Sequence, residues 1–176
     1  MLNKIILHLL KYVNYNAYAK KLGVKMGKDC RLLGRPNFGT EPYLVSLGNH
    51  VSISAGTVFL THEGAHWVLK GLNPAKYNST FGYGKIQVGN NVYIGYKVTL
   101  LRGITIGDNT IIGACSLVNK SLAGNGVYAG VPAKYICSLQ QWEQKFMADM
   151  PAYDKENYRL HKQDEVLKIV EKFRSR

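Results

Sequence analysis

Two histidines, His62 and His66, lie four positions apart in the sequence, and an acidic residue, Glu63, directly follows the first. A neutral imidazole has an ordinary pKa of about 6.5, so it can accept a proton from a reacting group near pH 7. The carboxylate of Glu63 could hold the imidazole of His62 in one tautomer. His62 and His66 are therefore the two candidates for a general base, and Glu63 is a candidate partner for His62.

The three cysteines are weaker candidates for chemistry. Cys30, Cys115 and Cys137 are an odd number and lack C-x-x-C spacing, which is typical of a reduced cytoplasmic protein. No neighbour in the sequence would favour the thiolate of Cys115, so we do not expect a nucleophilic cysteine. We expect a structural role for His50 and no metal site.

The segments that must position these residues follow a period of six. From residue 88 onward every sixth residue is aliphatic: Val88, Ile94, Leu100, Ile106, Ile112 and Val118. A helix repeats at 3.6 residues and a strand at 2, so neither alone explains this period. Six residues fit one short strand and one turn, and three such units close a triangular coil whose stacking buries the aliphatic residues. The pattern predicts a mainly β fold, a parallel β-helix of hexapeptide repeats.

The period also predicts the division of the chain. Residues 1–22 contain Ile6, Leu9, Leu10 and Val13 at helical spacing, which favours an N-terminal amphipathic helix over a signal peptide or a membrane span. Residues 23–136 form the β-helix, and the period disappears within 61–84, called the excursion below. Long insertions of this kind are usually functional. Residues 137–176 form a C-terminal helical segment.

The charge of the chain indicates an anionic partner. The chain has 23 Lys and Arg against 11 Asp and Glu, a formal net charge of +12. The basic residues are dispersed and no nucleic-acid-binding motif accompanies them, so we do not expect nucleic acid. A nucleotide cofactor or an anionic membrane surface fits the charge. Residues 1–35 contain far more basic than acidic residues, which allows two roles for the first helix. It could associate with the inner membrane face, or it could pack on the coil with its lysines in solvent.

Three motifs carry a resemblance to a known family. They are VGNNVYIG at 88–95, ITIGDNTIIGACSLVNK at 104–120 and AGVPAKYI at 129–136. With them, residues 26–136 resemble hexapeptide-repeat acyltransferases, and most of all the maltose, galactoside and capsular-polysaccharide O-acetyltransferases. The resemblance implies a left-handed β-helix, acetyl-CoA as co-substrate, a cytoplasmic homotrimer and active sites in the clefts between subunits.

The resemblance also implies roles for single residues. The catalytic histidine of such enzymes lies where the coil gives way to the excursion, and here that position is His62. The positions expected to bind CoA are Tyr96, Ala114, Cys115, Asn119, Lys120 and Lys134. Cys115 departs from the usual glycine or alanine, and Cys137 stands where some relatives have a second arginine. The chemistry agrees, because a sugar hydroxyl must lose its proton as it attacks a thioester.

The excursion has the composition of a sugar site. It combines aromatic side chains with short amides and hydroxyls, and we expect His66, Trp67 and Tyr83 to contact the acceptor, with Phe81 nearby. Together with this composition, the resemblance implies an acetyl-CoA-dependent O-acetyltransferase that acts on a carbohydrate hydroxyl, in capsule, lipopolysaccharide or exopolysaccharide biosynthesis.

Other functions of the same fold stay open at this point. An antibiotic O-acetyltransferase is the first alternative and an amino-sugar N-acetyltransferase the second. A zinc hydratase would need three histidines, and no compatible third ligand accompanies His62 and His66. A non-catalytic structural trimer is a different class of protein, against which the presence of His62 argues.

Overall fold

The computed structural model describes residues 2–150 and 152–174. The chain divides into two compact units, Met1–Leu139 and Gln140–Arg176. The strands are β1 Lys25–Met26, β2 Arg31–Leu32, β3 Val45–Leu47, β4 Val51–Ile53, β5 Val58–Phe59, β6 His62–Glu63, β7 Gly82–Tyr83, β8 Ile86–Val88, β9 Val92–Ile94, β10 Thr99–Leu100, β11 Ile104–Ile106, β12 Thr110–Ile112, β13 Leu117–Val118, β14 Gly126–Ala129 and β15 Lys134–Ser138. The helices are α1 Leu2–Val13, α2 Tyr15–Lys21, α3 His66–Leu72, α4 Pro74–Tyr77, α5 Leu139–Asp149, α6 Lys155–Leu160 and α7 Lys162–Arg174, and a 3-10 turn spans Pro42–Leu44.

The first unit is built around a three-sided coil of parallel strands. Side one contains β1, β3, β8 and β11, and side three contains β5, β10 and β13. Side two contains β2, β4, β9, β12 and β14, with β15 added antiparallel at its edge. Successive strands β8, β9 and β10 lie on sides one, two and three, and β11, β12 and β13 repeat the circuit one level on. This is the parallel β-helix that the six-residue period predicts.

The aliphatic residues of the period stack in three columns. Val88 pairs with Ile106 on side one, Ile94 with Ile112 on side two, and Leu100 with Val118 on side three. All six of these side chains are buried, as predicted. Full burial of an aliphatic side chain of this size contributes roughly 1.5–3 kcal/mol, so these columns are a main source of stability.

Glycine follows the aliphatic residue where neighbouring coils come close. A Cβ on Gly95 would lie 2.7 Å from the carbonyl oxygen of Ile112 on the next coil. Real Cβ atoms essentially never approach backbone so closely, so the coil spacing requires glycine at this turn.

One corner of the coil is held by a ladder of polar side chains. His50, Asn91, Asn109 and Asn125 each adopt the left-handed backbone conformation, with φ between 49° and 55°. His50 Nδ1 lies 2.9 Å from Asn91 Oδ1, Asn91 donates to Asn109 at 2.8 Å, and Asn109 donates to Asn125 at 3.0 Å. His50 therefore has the structural role expected for it.

The N-terminal segment contains two helices where the sequence predicts one. Asn14 ends α1 and caps α2, since its Oδ1 accepts a hydrogen bond from the Ala17 amide at 3.0 Å. Ala19 of α2 is fully buried. The periodicity of apolar residues continues across Asn14, which is why the break was not predicted.

The excursion has its own secondary structure. β6 and β7 pair antiparallel, with His62 opposite Tyr83, and the chain between them forms α3 and α4. The Gly84 amide donates to the Thr61 carbonyl at 2.9 Å and closes the base of the excursion. The excursion is thus a short hairpin that carries two helices, and it holds His62 at its base.

The second unit is helical. It contains most of α5 together with α6 and α7. Asp154 caps α6 by accepting hydrogen bonds from the amides of Glu156 and Asn157. Residues 137 and 138, assigned from the sequence to the C-terminal segment, belong to β15 and so to the first unit.

Candidate active site

His62 stands where the coil gives way to the excursion. It follows β5 by three positions and is the first residue of β6. Its Nδ1 lies 2.9 Å from Oε2 of Glu41, which immediately precedes the 3-10 turn Pro42–Leu44. The His62 side chain is 35% exposed and that of Glu41 is 13% exposed. The imidazole is therefore open to a reactant on one side and held from within the protein on the other.

The Glu41 carboxylate accepts two further hydrogen bonds, which fix its position and favour its charged form. Thr40 Oγ1 donates to Oε1 at 2.6 Å, and Thr61 Oγ1 donates to Oε2 at 2.7 Å. The hydrogen bonds from Thr40, His62 and Thr61 lower the pKa of Glu41 to about 2, from an ordinary value of 4.5. Glu41 is therefore an anion throughout the neutral range.

The charge of Glu41 decides the tautomer of His62. An ionised carboxylate can only accept hydrogen bonds, so the short contact requires that Nδ1 of His62 carry the proton. Nε2 of a neutral imidazole then keeps its lone pair and can accept a proton. The pair has the arrangement of a general base and the carboxylate that orients it.

Glu63 does not hold the imidazole, which corrects its predicted role. His62 and Glu63 are neighbours on β6, where successive side chains point to opposite faces. The Glu63 carboxylate accepts a hydrogen bond from the Ala65 amide at 2.9 Å and so shapes the turn into α3.

Aromatic rings of the excursion lie beside His62. The ring centroids of Phe81 and Tyr83 are 5.5 Å and 6.3 Å from that of His62, and the two rings stack on each other at 4.6 Å. His66 also contacts Phe81, with ring centroids 4.4 Å apart, and its Nδ1 lies 3.0 Å from the Glu63 carbonyl oxygen. Tyr83 and His66 are therefore near the candidate base. The side chain of Trp67 on α3 is 76% exposed to solvent.

A cleft of about 470 Å³ opens at the corner that follows side three of the coil. Its walls include His62, Glu63, Arg102 and Asn119. Gly82 of β7 lies beside the guanidinium, since a Cβ built on it would be 3.4 Å from Arg102 Cζ, an ordinary van der Waals contact. Among the described side chains, no carboxylate lies within 4.0 Å of Arg102. The cleft thus has a positive charge and a proton acceptor on its walls.

Three of the predicted CoA-binding residues lie together at a different corner. The Cys115 amide donates to the Tyr96 carbonyl at 2.7 Å, so Tyr96 and the Ala114-Cys115 pair are stacked where side two turns into side three. Ala114 and Cys115 are exposed, and Cys115 has a left-handed φ of 58°. Lys97 Nζ lies 5.2 Å from the Tyr96 ring centroid. This corner and the cleft of His62 are at opposite ends of side three.

The predicted basic contacts are exposed and lie apart from each other in the chain. Lys120 follows Asn119, the cleft residue, directly after β13. Lys134 is the first residue of β15. Of the six predicted CoA-binding residues, Asn119 is the one that lines the cleft of His62.

The protein is similar to known acetyltransferases. A family model described as bacterial transferase hexapeptide (six repeats) matches residues 85–120. Protein CapG of Staphylococcus aureus is 38% identical over 159 residues, which cover 89% of this chain and 90% of that protein. The galactoside O-acetyltransferase of Escherichia coli (strain K12) is 35% identical over 107 residues, which cover 60% of this chain and 50% of that protein.

A solved structure has the same fold. The crystal structure of a maltose O-acetyltransferase from Clostridium difficile 630 has a TM-score of 0.57 to this chain at 23% identity, over 77% of this chain and 83% of that one. The match to CapG spans most of both chains at well over 30% identity, and the matched repeats are those of the coil. The chain belongs to the hexapeptide-repeat acetyltransferase family. It is an acyltransferase.

Within this hexapeptide-repeat acetyltransferase, sequence reasoning missed two residues of the cleft and its surroundings. Glu41 is 21 positions from His62, about one coil earlier, and lies where the six-residue period is broken. The break in the six-residue period could have pointed to Glu41, because an irregular segment one coil away from the excursion lies beside it. Arg102 interrupts no pattern, so nothing in the sequence distinguished it from other surface arginines.

Side chains that could bind a metal ion together are absent from the described part of this acetyltransferase. Across residues 2–150 and 152–174, no group of three His, Cys, Asp or Glu side chains could hold a metal ion. The polar groups around His62 instead form the chain from Thr40 and Thr61 through Glu41 to the imidazole.

Proposed function

We propose that this enzyme transfers an acetyl group from acetyl-CoA to a hydroxyl group of a carbohydrate, with His62 as the general base. The observation that carries the proposal is the short contact between His62 Nδ1 and an ionised Glu41, at the wall of an open cleft. It leaves Nε2 of His62 as the proton acceptor. The left-handed sense of the coil and a cytoplasmic site of action are parts of the same proposal.

The reaction is a direct transfer in a ternary complex. Nε2 of His62 takes the proton of the acceptor hydroxyl as its oxygen attacks the thioester carbon, and the new C–O bond forms. The tetrahedral intermediate then collapses, the C–S bond breaks, and the CoA sulfur leaves with the proton from the imidazolium. Glu41 favours the first proton transfer because its negative charge stabilises the imidazolium that forms.

The surroundings of His62 support a sugar as acceptor. The stacked rings of Phe81 and Tyr83 offer apolar faces next to the base, which suit the C–H face of a pyranose. The similar E. coli protein is named for acetyl transfer to galactosides. We assign the acceptor to the assembly of capsule, lipopolysaccharide or exopolysaccharide.

A homotrimer would unite the two corners at the ends of side three. In such an assembly the cleft of His62 on one subunit faces the Tyr96, Ala114 and Cys115 corner of the next, and acetyl-CoA binds between them. The apolar surface of α3 supports this arrangement, since Trp67, Val68 and Leu72 are 76%, 65% and 78% exposed in the single chain. Exposed apolar patches on an excursion mark a surface for another subunit. Lys120 and Lys134 are the candidate contacts for the CoA phosphates.

Mixed trimers test the shared site. His62→Ala and Ala114→Trp should each abolish turnover, the first by removing the base and the second by filling the CoA corner. When the two inactive proteins are unfolded together and refolded, about a quarter of the sites in random trimers combine two intact halves, so activity should return to about that level. Light scattering should give three chains per particle for each protein. A monomer, or mixed trimers that stay inactive, would refute the shared site.

An acceptor screen tests the reaction itself. Acetyl-CoA is mixed with neutral sugars, uronic acids, amino sugars, aminoglycosides and chloramphenicol, and the free CoA thiol is measured against a mixture without acceptor. We expect thiol release with hydroxylated sugars and its loss in His62→Ala, but not in the control His161→Ala, which changes an exposed histidine of the second unit. Thiol release with antibiotics or amines alone would overturn the proposal.

A further inference from the structure

Helix α1 exposes an apolar face that no other part of the described chain covers. The face, called the α1 face below, consists of five side chains: Ile5, Ile6, Leu9, Tyr12 and Val13. Ile5, Leu9 and Val13, one helical turn apart, are 57%, 62% and 78% exposed. The spacing of three and four residues places all five on one side of the helix.

The α1 face is distinct from the side by which α1 packs on the rest of the unit. Leu7 and Leu10 are half-buried, and with Ile6 and Lys21 of α2 they line a small cleft. The apolar arc of α1 is thus wider than its packing on α2 requires. An amphipathic helix that only packs on the coil would show polar side chains on the outer side instead.

Basic side chains border the α1 face on two sides. Lys21 lies at the edge next to Ile6, and the guanidinium carbon of Arg35 lies 4.6 Å from the ring centroid of Tyr12 at the other edge. The sequence from residue 1 to 35 contains eight Lys or Arg residues and a single acidic residue, Asp29. In the described part of that segment, no lysine or arginine lies within 4.0 Å of a carboxylate. Among the described residues, the positive charge around the face therefore has no paired carboxylate.

We propose that the α1 face binds the surface of an anionic lipid bilayer, with its apolar side chains among the acyl chains and the bordering basic residues at the headgroups. An apolar stripe flanked by lysine and arginine is the pattern of a helix that lies in the membrane interface. Among the described residues, no helix is long and apolar enough to cross a bilayer.

Charge argues against a second copy of the chain as the occupant of the face. Two copies paired face to face through α1 would bring two basic segments together, and like charges repel across an interface. A membrane surface that contains anionic lipids supplies the opposite charge. The proposal goes beyond acetyl transfer and does not depend on it.

Vesicle co-sedimentation tests the proposal. The full chain is spun with vesicles of phosphatidylcholine alone or with about a third phosphatidylglycerol, a composition for which basic residues near the surface each strengthen binding several-fold. Binding should require the anionic lipid and weaken at high salt. Leu9→Gln should lower the partition coefficient about tenfold, because it removes one of the inserted side chains. The matched control Leu160→Gln changes an equally exposed leucine of α6 and should bind like the wild type.

Charge variants separate the lipid proposal from a general effect of net charge. The pair Lys20→Gln and Lys21→Gln should weaken binding by about tenfold or more, whereas the same change at Lys145 and Lys155 in the second unit should have little effect. All variants should keep wild-type turnover with a soluble acceptor, so that loss of lipid binding is read separately from loss of the enzyme. Equal binding to neutral and anionic vesicles, or an unchanged Leu9→Gln, would overturn the proposal. A Leu9→Gln that instead dissociates an assembly of chains in sedimentation velocity would assign the face to a second copy.

Discussion

Oε2 of Glu41 lies 2.9 Å from Nδ1 of His62, although the two residues are 21 positions apart in the chain. The coil brings them together, because a residue about one circuit earlier lies directly beside the base of the excursion. The hydrogen bonds from Thr40 and Thr61 then fix the carboxylate as an anion. The function proposed for His62 rests on this relationship.

Replacing Glu41 with Gln should lower kcat while leaving the KM for acetyl-CoA nearly unchanged. The amide can still occupy the place of the carboxylate, but it no longer stabilises an imidazolium or demands a proton on Nδ1. We expect a loss of about 10- to 1,000-fold in kcat, within the range that a positioned proton-transfer group contributes. Glu143→Gln is the matched control, since it changes an exposed glutamate of α5. Equal losses in the two variants would contradict the assignment of Glu41.

The low pKa of Glu41 predicts how stability depends on pH. The pKa is about 2 in the folded protein and near its ordinary value of 4.5 in the unfolded chain, so folding favours the ionised form. The stabilisation from Glu41 is therefore present above about pH 4.5 and is lost as the pH falls from there towards 2. Urea unfolding at pH 7 and pH 3 should show a large deficit of Glu41→Gln relative to wild type at pH 7 and a much smaller one at pH 3. A deficit that stays constant would show that Glu41 is not held as an anion.

Arg102 should select acceptors by charge. Its guanidinium lies on the wall of the His62 cleft without a carboxylate partner among the described side chains. A hydrogen bond to a charged group contributes about 1.5–3 kcal/mol, so Arg102→Gln should raise the KM of an acidic sugar about 10- to 100-fold. The KM of a neutral sugar should change little, and Arg102→Lys should restore part of the loss. A rise in the KM of acetyl-CoA instead would place Arg102 at the phosphates of the donor.

The coil could be predicted from the sequence because its cause is local. Each aliphatic residue from Val88 to Val118 is buried by the residue 18 positions away, and glycine follows where the coils approach closely, so the six-residue period records the geometry. His62 was singled out by the resemblance, which places the catalytic histidine where the coil gives way to the excursion, and its role stays a prediction. The two-helix form of the excursion has no such signal, since α3 and α4 together span too few residues to set up a helical pattern.

The partner of His62 could not be predicted from neighbours in the chain. On a strand, the residue next to a histidine points away from it, which excludes Glu63 from the role that its proximity in sequence suggests. The residues that contact a side chain in a coil are those about one circuit away, and a break in the period shifts that distance. Between Glu41 and His62 the distance is 21 residues, whereas corner residues such as Asn91 and Asn109 are 18 apart. Only the folded coil reveals that Glu41 is in register with His62.

Steady-state kinetics of His62→Ala beside His66→Ala tests whether His62 is the base. For His62→Ala we predict a fall in kcat of about 10²–10⁴-fold with a nearly unchanged KM for acetyl-CoA, because the imidazole acts on the acceptor proton and not on the donor. His66→Ala, whose ring contacts Phe81, should change mainly the KM of the acceptor. Wild-type kcat in His62→Ala together with loss of turnover in His66→Ala would contradict the account.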